Sequence, residues 1–315
     1  MLVDTHGLPL PPSWWQPSAT RVDALRELRA RSVPFDPGVL EAAAYYCDWP
    51  LVRELYLRRL EREQACAAHH AALGLALLRE GDVERARQCS IRAALLDPRE
   101  RGGQRLQWEL SEWEPWRRAL PALPREPRSA QRLRLELLGP HHWQDLLWHY
   151  DDADISRLCG WPRFSYYTEW RAWLEREYAA RDLVMFAVLE NTWGFCGVVS
   201  LIRHRQLGLV YYWLGREFRG RGLAAEAVRC LLALSRELWG LRSCYANVFA
   251  ENEPSRRLLE RLGFELEGVA LLPPHEHELV YRLGPPQSAA ASHAELSFLL
   301  HQMRSDRRLR PRLAP

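Results

Sequence analysis

The densest chemistry in the chain lies in Arg216-Glu-Phe-Arg-Gly-Arg-Gly-Leu-Ala224, where three arginines and two glycines fall within seven residues. An apolar helical pattern starts directly after them, and the strand-like run Leu209-Val-Tyr-Tyr-Trp-Leu214 leads directly in. A strand, a glycine-rich loop and a helix N-terminus in that order make an anion site. Backbone N–H groups converge, the helix dipole adds partial positive charge, and glycines let an anion approach the chain. Arg216, Arg219 and Arg221 can add charge-assisted hydrogen bonds. A tight turn with a solvated basic rim would use the same residue types, and the spacing follows neither G-x-x-x-x-G-K-S/T nor G-x-G-x-x-G. The loop needs a second motif to identify its ligand.

Twenty-eight residues after Ala224 come Asn252-Glu-Pro-Ser255 and then Leu259-Glu-Arg-Leu-Gly-Phe264. Arg219-Gly-Arg-Gly-Leu-Ala224 matches the R/Q-x-x-G-x-G/A signature of the GNAT acetyltransferase superfamily, and the later pair resembles its "N-x-x-S … E-x-x-G-F" signature. The order of elements from Arg132 to Leu283 also resembles that fold. Within the superfamily, "YYWLGREFRGRGLAAEA" and "NEPSRRLLERLGFELEGV" are most similar to the branch of ribosomal-protein N-terminal acetyltransferases. The resemblance implies an acyl-CoA co-substrate, with acetyl-CoA the first choice. Its diphosphate would lie on Arg219, Gly220, Arg221, Gly222, Leu223 and Ala224, and Asn252 would contribute from the second motif.

Acyl transfer from a thioester to an amine requires a neutral amine, a stabilised oxyanion and a proton for the departing thiolate. By resemblance, a backbone N–H of the strand before the loop meets the oxyanion, here Trp213 or Leu214. Many family members carry a tyrosine as general acid where this chain has Leu259. The ribosomal-protein branch has a serine at the "N-x-x-S" position instead, which is Ser255; a serine there equally suits a helix cap. The glutamate that branch members place in the strand before the loop is replaced by Leu209. In related enzymes the strand edge that follows Pro274-His-Glu-His-Glu278 lies over the acceptor pocket and carries an acidic group, so the resemblance implies a base there, with Glu276 the first choice beside His275 and His277, though a solvated loop has the same composition. Ser255 is assigned the leaving thiolate and Glu276 or His275 the incoming amine. His275-x-His277 lacks a third ligand, so no metal is expected.

Stepping outward, these residues sit in the second of two differently patterned halves. From about Asp36 to Leu120 the pattern is helical. Ala67–Glu100 spans 34 residues and puts Leu73, Gly74, Leu77, Gly81, Ala86, Ala93 and Pro98 where a tetratricopeptide repeat has its small and apolar residues. Asp48 precedes Asp82 by one such period, and a weaker third unit runs through Trp108, Trp113 and Trp116. A plain helical bundle would read similarly. Pro121-Ala-Leu-Pro-Arg-Glu-Pro127 breaks the pattern as a linker. The organisation expected is a Pro/Trp-containing segment over 1–35, a helical-repeat domain over 36–120, a linker over 121–130, a GNAT-like mixed β-sheet flanked by helices over 131–285, and a basic tail over 286–315.

In that second domain, strands are expected at Arg132–Leu138, Val184–Glu190, Trp193–Ile202, Leu207–Leu214, Arg242–Phe249, Phe264–Val269 and Glu278–Leu283, and helices at Gly222–Leu238 and Glu253–Leu262. Trp161–Trp170 adds aromatics where family members put an acceptor-facing helix and loop, although core packing would use them too.

Composition narrows the function. A net charge of +3 does not argue for nucleic acid, and seven scattered cysteines without a C-x-x-C read as reduced thiols. All 43 basic residues are arginine, as a GC-rich genome favours; escape from self-acylation is the alternative. No signal peptide and no run of about 18 apolar residues is present, so a cytoplasmic protein without membrane contact is expected. A concave helical surface suits an extended peptide, so a peptide or protein amine is the expected acceptor. Two other readings stand: a small-molecule N-acyltransferase, and a non-catalytic scaffold with a vestigial CoA site, motivated by Leu259 and Leu209. Acyl chain length and oligomeric state are left open.

Overall fold

A computed structural model describes residues 21–31, 37–119, 128–129, 132–150, 155, 162, 164–179, 182–271, 275–302 and 311–313. The first half is helical: α1 (Arg21–Arg31), α2 (Pro37–Tyr45), α3 (Trp49–Arg62), α4 (Ala67–Arg79), α5 (Val83–Leu96) and α6 (Arg101–Ala119). Helices α3 and α5 start at residues 49 and 83, and α4 and α6 at 67 and 101, so both pairs recur at 34 residues. The starts of α3 and α5 share a chemistry as well as a spacing. Asp48 accepts the Leu51 N–H at 3.2 Å and Asp82 the Arg85 N–H at 3.1 Å, each satisfying a donor the helix leaves unpaired. Gly74 lets α4, α5 and α6 close on one another, because a Cβ there would meet Leu106 Cδ2 at 2.3 Å and Cys89 Cβ at 2.9 Å.

The second half is built on a mixed sheet. Its strands are β1 (Arg128–Ser129), β2 (Leu133–Leu137), β3 (Leu183–Glu190), β4 (Gly194–His204), β5 (Leu207–Leu214), β6 (Ser243–Phe249), β7 (Glu265–Leu271), β8 (Glu278–Leu283) and β9 (Pro311–Leu313), in the spatial order β1-β2-β3-β4-β5-β6-β8-β7-β9. All neighbours are antiparallel except β5 and β6. Helices α7 (Trp143–Tyr150), α8 (Tyr167–Ala179) and α11 (Ala289–Gln302) cover one face; α9 (Leu223–Trp239) and α10 (Glu253–Arg261) cover the other. Strand alternation then sorts residues by face. Leu209, Trp213, Tyr245 and Val280 point into the first core; Val210, Leu214, Ala246, Val248 and Tyr281 point into the second.

The aromatics of 161–170 divide between core and outside. Phe164, Trp170 and Trp173 pack ring against ring at 5.3–5.5 Å centroid separations inside the first core, while Tyr166 is exposed and Trp161 lies outside the described residues. The C-terminal segment docks through α11: Leu296, Leu299 and Leu300 are buried in that same core, and the Tyr245 hydroxyl donates to Glu295 at 2.8 Å. The linker 121–130 lies outside the described residues except for Arg128–Ser129. Among those described, no helix is long and apolar enough to cross a membrane.

The helical half seats on the sheet through polar anchors. Arg134 of β2 donates to the Glu80 carbonyl at 2.6 Å, Trp148 of α7 to the Tyr45 carbonyl at 2.9 Å, and Trp49 of α3 to Asp145 at 3.2 Å. Beneath them, Glu136 lies 2.8 Å from His141 Nε2 and 3.7 Å from His142 Nε2, with both imidazoles buried. Burial drives the His141 pKa down to about 3 and His142 well below its ordinary value.

Candidate active site

The site begins where the one parallel pairing fails. Strand β5 pairs with β6 only from Leu207–Leu209 to Ser243–Tyr245, after which the two part and leave a gap between Val210–Leu214 and Ala246–Phe249. Backbone groups on that edge of β5 have no ladder partner. The Gly215 N–H donates to the Cys196 carbonyl at 2.9 Å. Counting back by twos, Trp213 also bonds β4, whereas Leu214 faces the gap. The Leu214 carbonyl agrees, since it receives Arg219 Nε from the loop at 3.0 Å. Of the two amides expected at this point, only that of Leu214 is turned into the opening.

Directly beyond, the loop is shaped by two glycines in left-handed backbone. Gly220 has φ +74° and Gly222 φ +79°, a region that costs an L-residue about 1–2 kcal/mol. The space above them is open: nothing lies within 4 Å of a Cβ built on Gly220, and only Arg132 Nη2, at 3.4 Å, on Gly222. Gly222 caps α9 with no side-chain hydrogen bond, so the first N–H groups of the helix remain available. Arg216, Arg219 and Arg221 are exposed around the loop, while Leu223 is buried and Ala224 half-buried. Bare helix N–H groups, a backbone held open by glycine and an arginine rim could hold the diphosphate of an acyl-CoA. Arg132, which the sequence reading missed, braces this loop. It donates to the Arg221 carbonyl at 2.9 Å and to Glu226 of α9 at 2.9 Å. Nothing in local spacing links residues 89 positions apart.

On the α10 side, Asn252 is the helix cap, accepting the Ser255 N–H at 3.3 Å. Ser255 is therefore the third residue of the helix rather than its cap, and it is half-buried. The Tyr212 hydroxyl donates to its carbonyl at 3.4 Å. Burial raises the Tyr212 pKa to about 12, so it stays protonated and is a weak acid. Leu259, at the position of the family tyrosine, is buried in the second core, and Leu209 is buried in the first.

Across the sheet, the 275–278 turn divides its ionisable groups. His275 Nδ1 lies 2.7 Å from Glu278 Oε1, and the other oxygen of Glu278 accepts a short hydrogen bond from Asn247. The carboxylate can only accept, so Nδ1 donates in this contact and Nε2 is the nitrogen left for a second partner. Glu278 is 7% exposed, and the His275 ring is half-buried. Glu276 and His277 are exposed and approach each other only at 4.0 Å. The Ala250 N–H bonds the His277 carbonyl at 3.0 Å, fixing the turn beside the end of β6. Register puts Glu278 opposite Phe249 and Val280 opposite Asn247, on the face of the first core. Ser255 belongs to the opposite face. Pro274 lies outside the described residues.

Residues 132–265 match the Acetyltransferase (GNAT) domain family. A Bacillus subtilis (strain 168) protein named as a ribosomal N-acetyltransferase, YdaF, is 29% identical over 163 residues, covering 50% of this chain and 85% of that protein. A Bacillus licheniformis protein named as an uncharacterized N-acetyltransferase, p20, is 32% identical over 91 residues, 29% of this chain and 51% of its own length. Among solved structures, a protein from Vibrio cholerae named as a ribosomal-protein-serine acetyltransferase is 22% identical with a TM-score of 0.44, covering 52% of this chain and 99% of that one. The matched segment contains the loop, the strand gap and the second motif just described; residues 132–265 match a GNAT acetyltransferase domain, and together with the N-acetyltransferase relatives this supports an acyl-CoA-dependent N-acyltransferase.

Proposed function

We infer that the protein transfers an acyl group, acetyl in the simplest case, to an amine on a peptide or protein held with the help of the helical half. The observation that carries this is the gap between β5 and β6, with the glycine–arginine loop at the end of one strand and the His275–Glu278 pair at the end of the other. Acyl-CoA supplies the activated thioester. Leu214 offers its free N–H to the oxyanion. His275 Nε2 takes the amine proton, and Glu278, itself held by Asn247, keeps the ring in the right tautomer. This moves the base from Glu276, whose carboxylate is solvated, to its neighbour. Ser255 stands on the face of the departing thiolate, with Tyr212 positioning its backbone.

The acceptor class rests on two supports: the relative named for ribosomal N-acetylation, and the 34-residue recurrence of helices α3 to α6, which supports a tetratricopeptide-like unit with a peptide-binding face. Titration calorimetry with acetyl-CoA and longer acyl-CoAs checks the co-substrate. Release of free CoA is then compared between ribosomal-protein N-terminal peptides and free small amines. Turnover confined to small amines would reject the peptide acceptor, and failure to bind any acyl-CoA would reject the whole reading.

A further inference from the structure

The turn between α3 and α4 gathers three metal-ligating side chains away from the acyl-transfer site. Glu63 ends α3, Cys66 precedes α4, and His69 lies in the first turn of α4. Together they offer a carboxylate oxygen, a thiol sulfur and imidazole Nδ1 within 4.8 Å of one another. Cys66 occupies the cap position of α4 without using its side chain as a cap, and it is a free thiol. His69 Nδ1 lies 3.5 Å from Glu63 Oε2, yet this buried nitrogen makes no hydrogen bond. Two atoms that face each other without bonding suit a shared ion. Bonds of about 2.0–2.1 Å in tetrahedral geometry hold nitrogen and oxygen ligands roughly 3.3–3.4 Å apart.

The surroundings hold the three groups in that arrangement. Arg59 takes the other oxygen of Glu63 at 3.2 Å, leaving Oε2 turned to His69. His70 Nε2 pairs with the Gln64 carbonyl at 2.9 Å, closing the turn.

A second cluster, Glu136 with His141 and His142, is equally close-set, but its protons argue otherwise. The Gly139 N–H donates to His142 Nδ1 at 3.0 Å, so the proton of that ring sits on Nε2, the nitrogen facing Glu136. A histidine that ligates through Nε2 carries its proton on Nδ1.

We propose that Glu63, Cys66 and His69 bind a zinc ion that staples α3 to α4, with water at the fourth position. A mixed sulfur, nitrogen and oxygen set selects zinc over calcium or magnesium. This site is independent of the acyl-transfer reading and tests separately from it.

The full-length protein, stripped with a chelator, is titrated with Zn²⁺ against a chromophoric competitor. One equivalent binds to the wild type. Cys66→Ser loses it, and His69→Ala binds at least about tenfold more weakly, in line with loss of a ligand. Serine is a favoured cap residue, so the first variant keeps α4 folded. With Co²⁺ in place of zinc, the wild type gains a thiolate charge-transfer band in the near ultraviolet that Cys66→Ser lacks. Zinc raises Tm in the wild type but not in Cys66→Ser. No stoichiometric binding by the wild type, or equal binding and an unchanged cobalt spectrum in Cys66→Ser, overturns the proposal.

Discussion

Two clusters in this protein use the same residue types and reach opposite outcomes. At the start of β8, His275 pairs with Glu278, which is held by Asn247, and the ring remains half-buried. Under the helical half, His141 and His142 flank Glu136 with both rings buried. Only the first leaves its imidazole partly open to solvent. In the second, burial keeps the rings neutral to far below ordinary pH, which suits a structural seam and not proton transfer. Residue chemistry is shared; access to solvent and ligand separates a candidate base from a packed interface.

The largest expected effect comes from removing the accessible ring. His275→Ala should lower kcat about 10²–10⁴-fold with any amine that supports turnover, the usual contribution of a positioned base. Glu278→Gln should cost less and should move the acidic limb of the pH–rate profile, because the ring loses its orienting partner. Glu276→Gln should leave both unchanged. A profile that shifts in Glu276→Gln and stays put in His275→Ala returns the base to Glu276.

Next in size is the loop that serves the same gap. Gly222→Val forces a β-branched residue into φ +79°, and a strain of about 1–2 kcal/mol corresponds to roughly 5–30-fold weaker acyl-CoA binding by calorimetry. Unaltered affinity would show that the loop does not hold the diphosphate.

The buried cluster should respond through stability alone. Between pH 6.5 and the folded pKa of about 3 for His141, the unfolded chain binds a proton that the folded chain refuses. Stability is therefore full above pH 6.5 and is lost as pH falls through that window, by up to about 1.4 kcal/mol per unit for one such group. Glu136, whose pKa burial raises above 4.5, works in the opposite sense and reduces the slope. Urea midpoints at pH 7.5 and 5.5 should differ in the wild type, and the difference should shrink in His141→Gln, with His142 supplying what remains. Acyl-CoA affinity of the folded protein should not change with that substitution; if it falls, the two clusters are coupled.

The smallest effect is expected at Ser255. Ser255→Ala should scale the rate down by about tenfold or less, the weight of one neutral hydrogen bond, without displacing the acidic limb. A displaced limb would give the serine a share in amine deprotonation.

Much of the frame was legible because its causes are local. Period-2 runs and the glycine that caps α9 define strands and helices through neighbours in sequence. Leu207–Leu214 and Glu278–Leu283 form strands with the bounds the pattern implies, and Asp48 and Asp82 cap helices one period apart. Positive φ at Gly220 and Gly222 is likewise a property of a few adjacent residues.

What the chain order could not reveal depends on pairing across the sheet. Spacing allowed either Trp213 or Leu214 as the free amide; the choice follows from register against β4 and from the parting of β6, since β5 and β6 bring residues 36 apart (207 and 243) side by side for three residues only. His275 and Glu276 are adjacent in sequence, and only the turn into β8, with Asn247 waiting on β6, buries the Glu278 carboxylate against the first and leaves the second in water. Arg132 reaches the phosphate loop, and Tyr212 reaches Ser255, in the same way. Sequence by itself determined the backbone motif that suits acyl-CoA, because hydrogen-bond geometry there is short-range. Tertiary structure alone decided which ionisable groups are paired, buried or free, because those states are set by neighbours that the chain brings together only on folding.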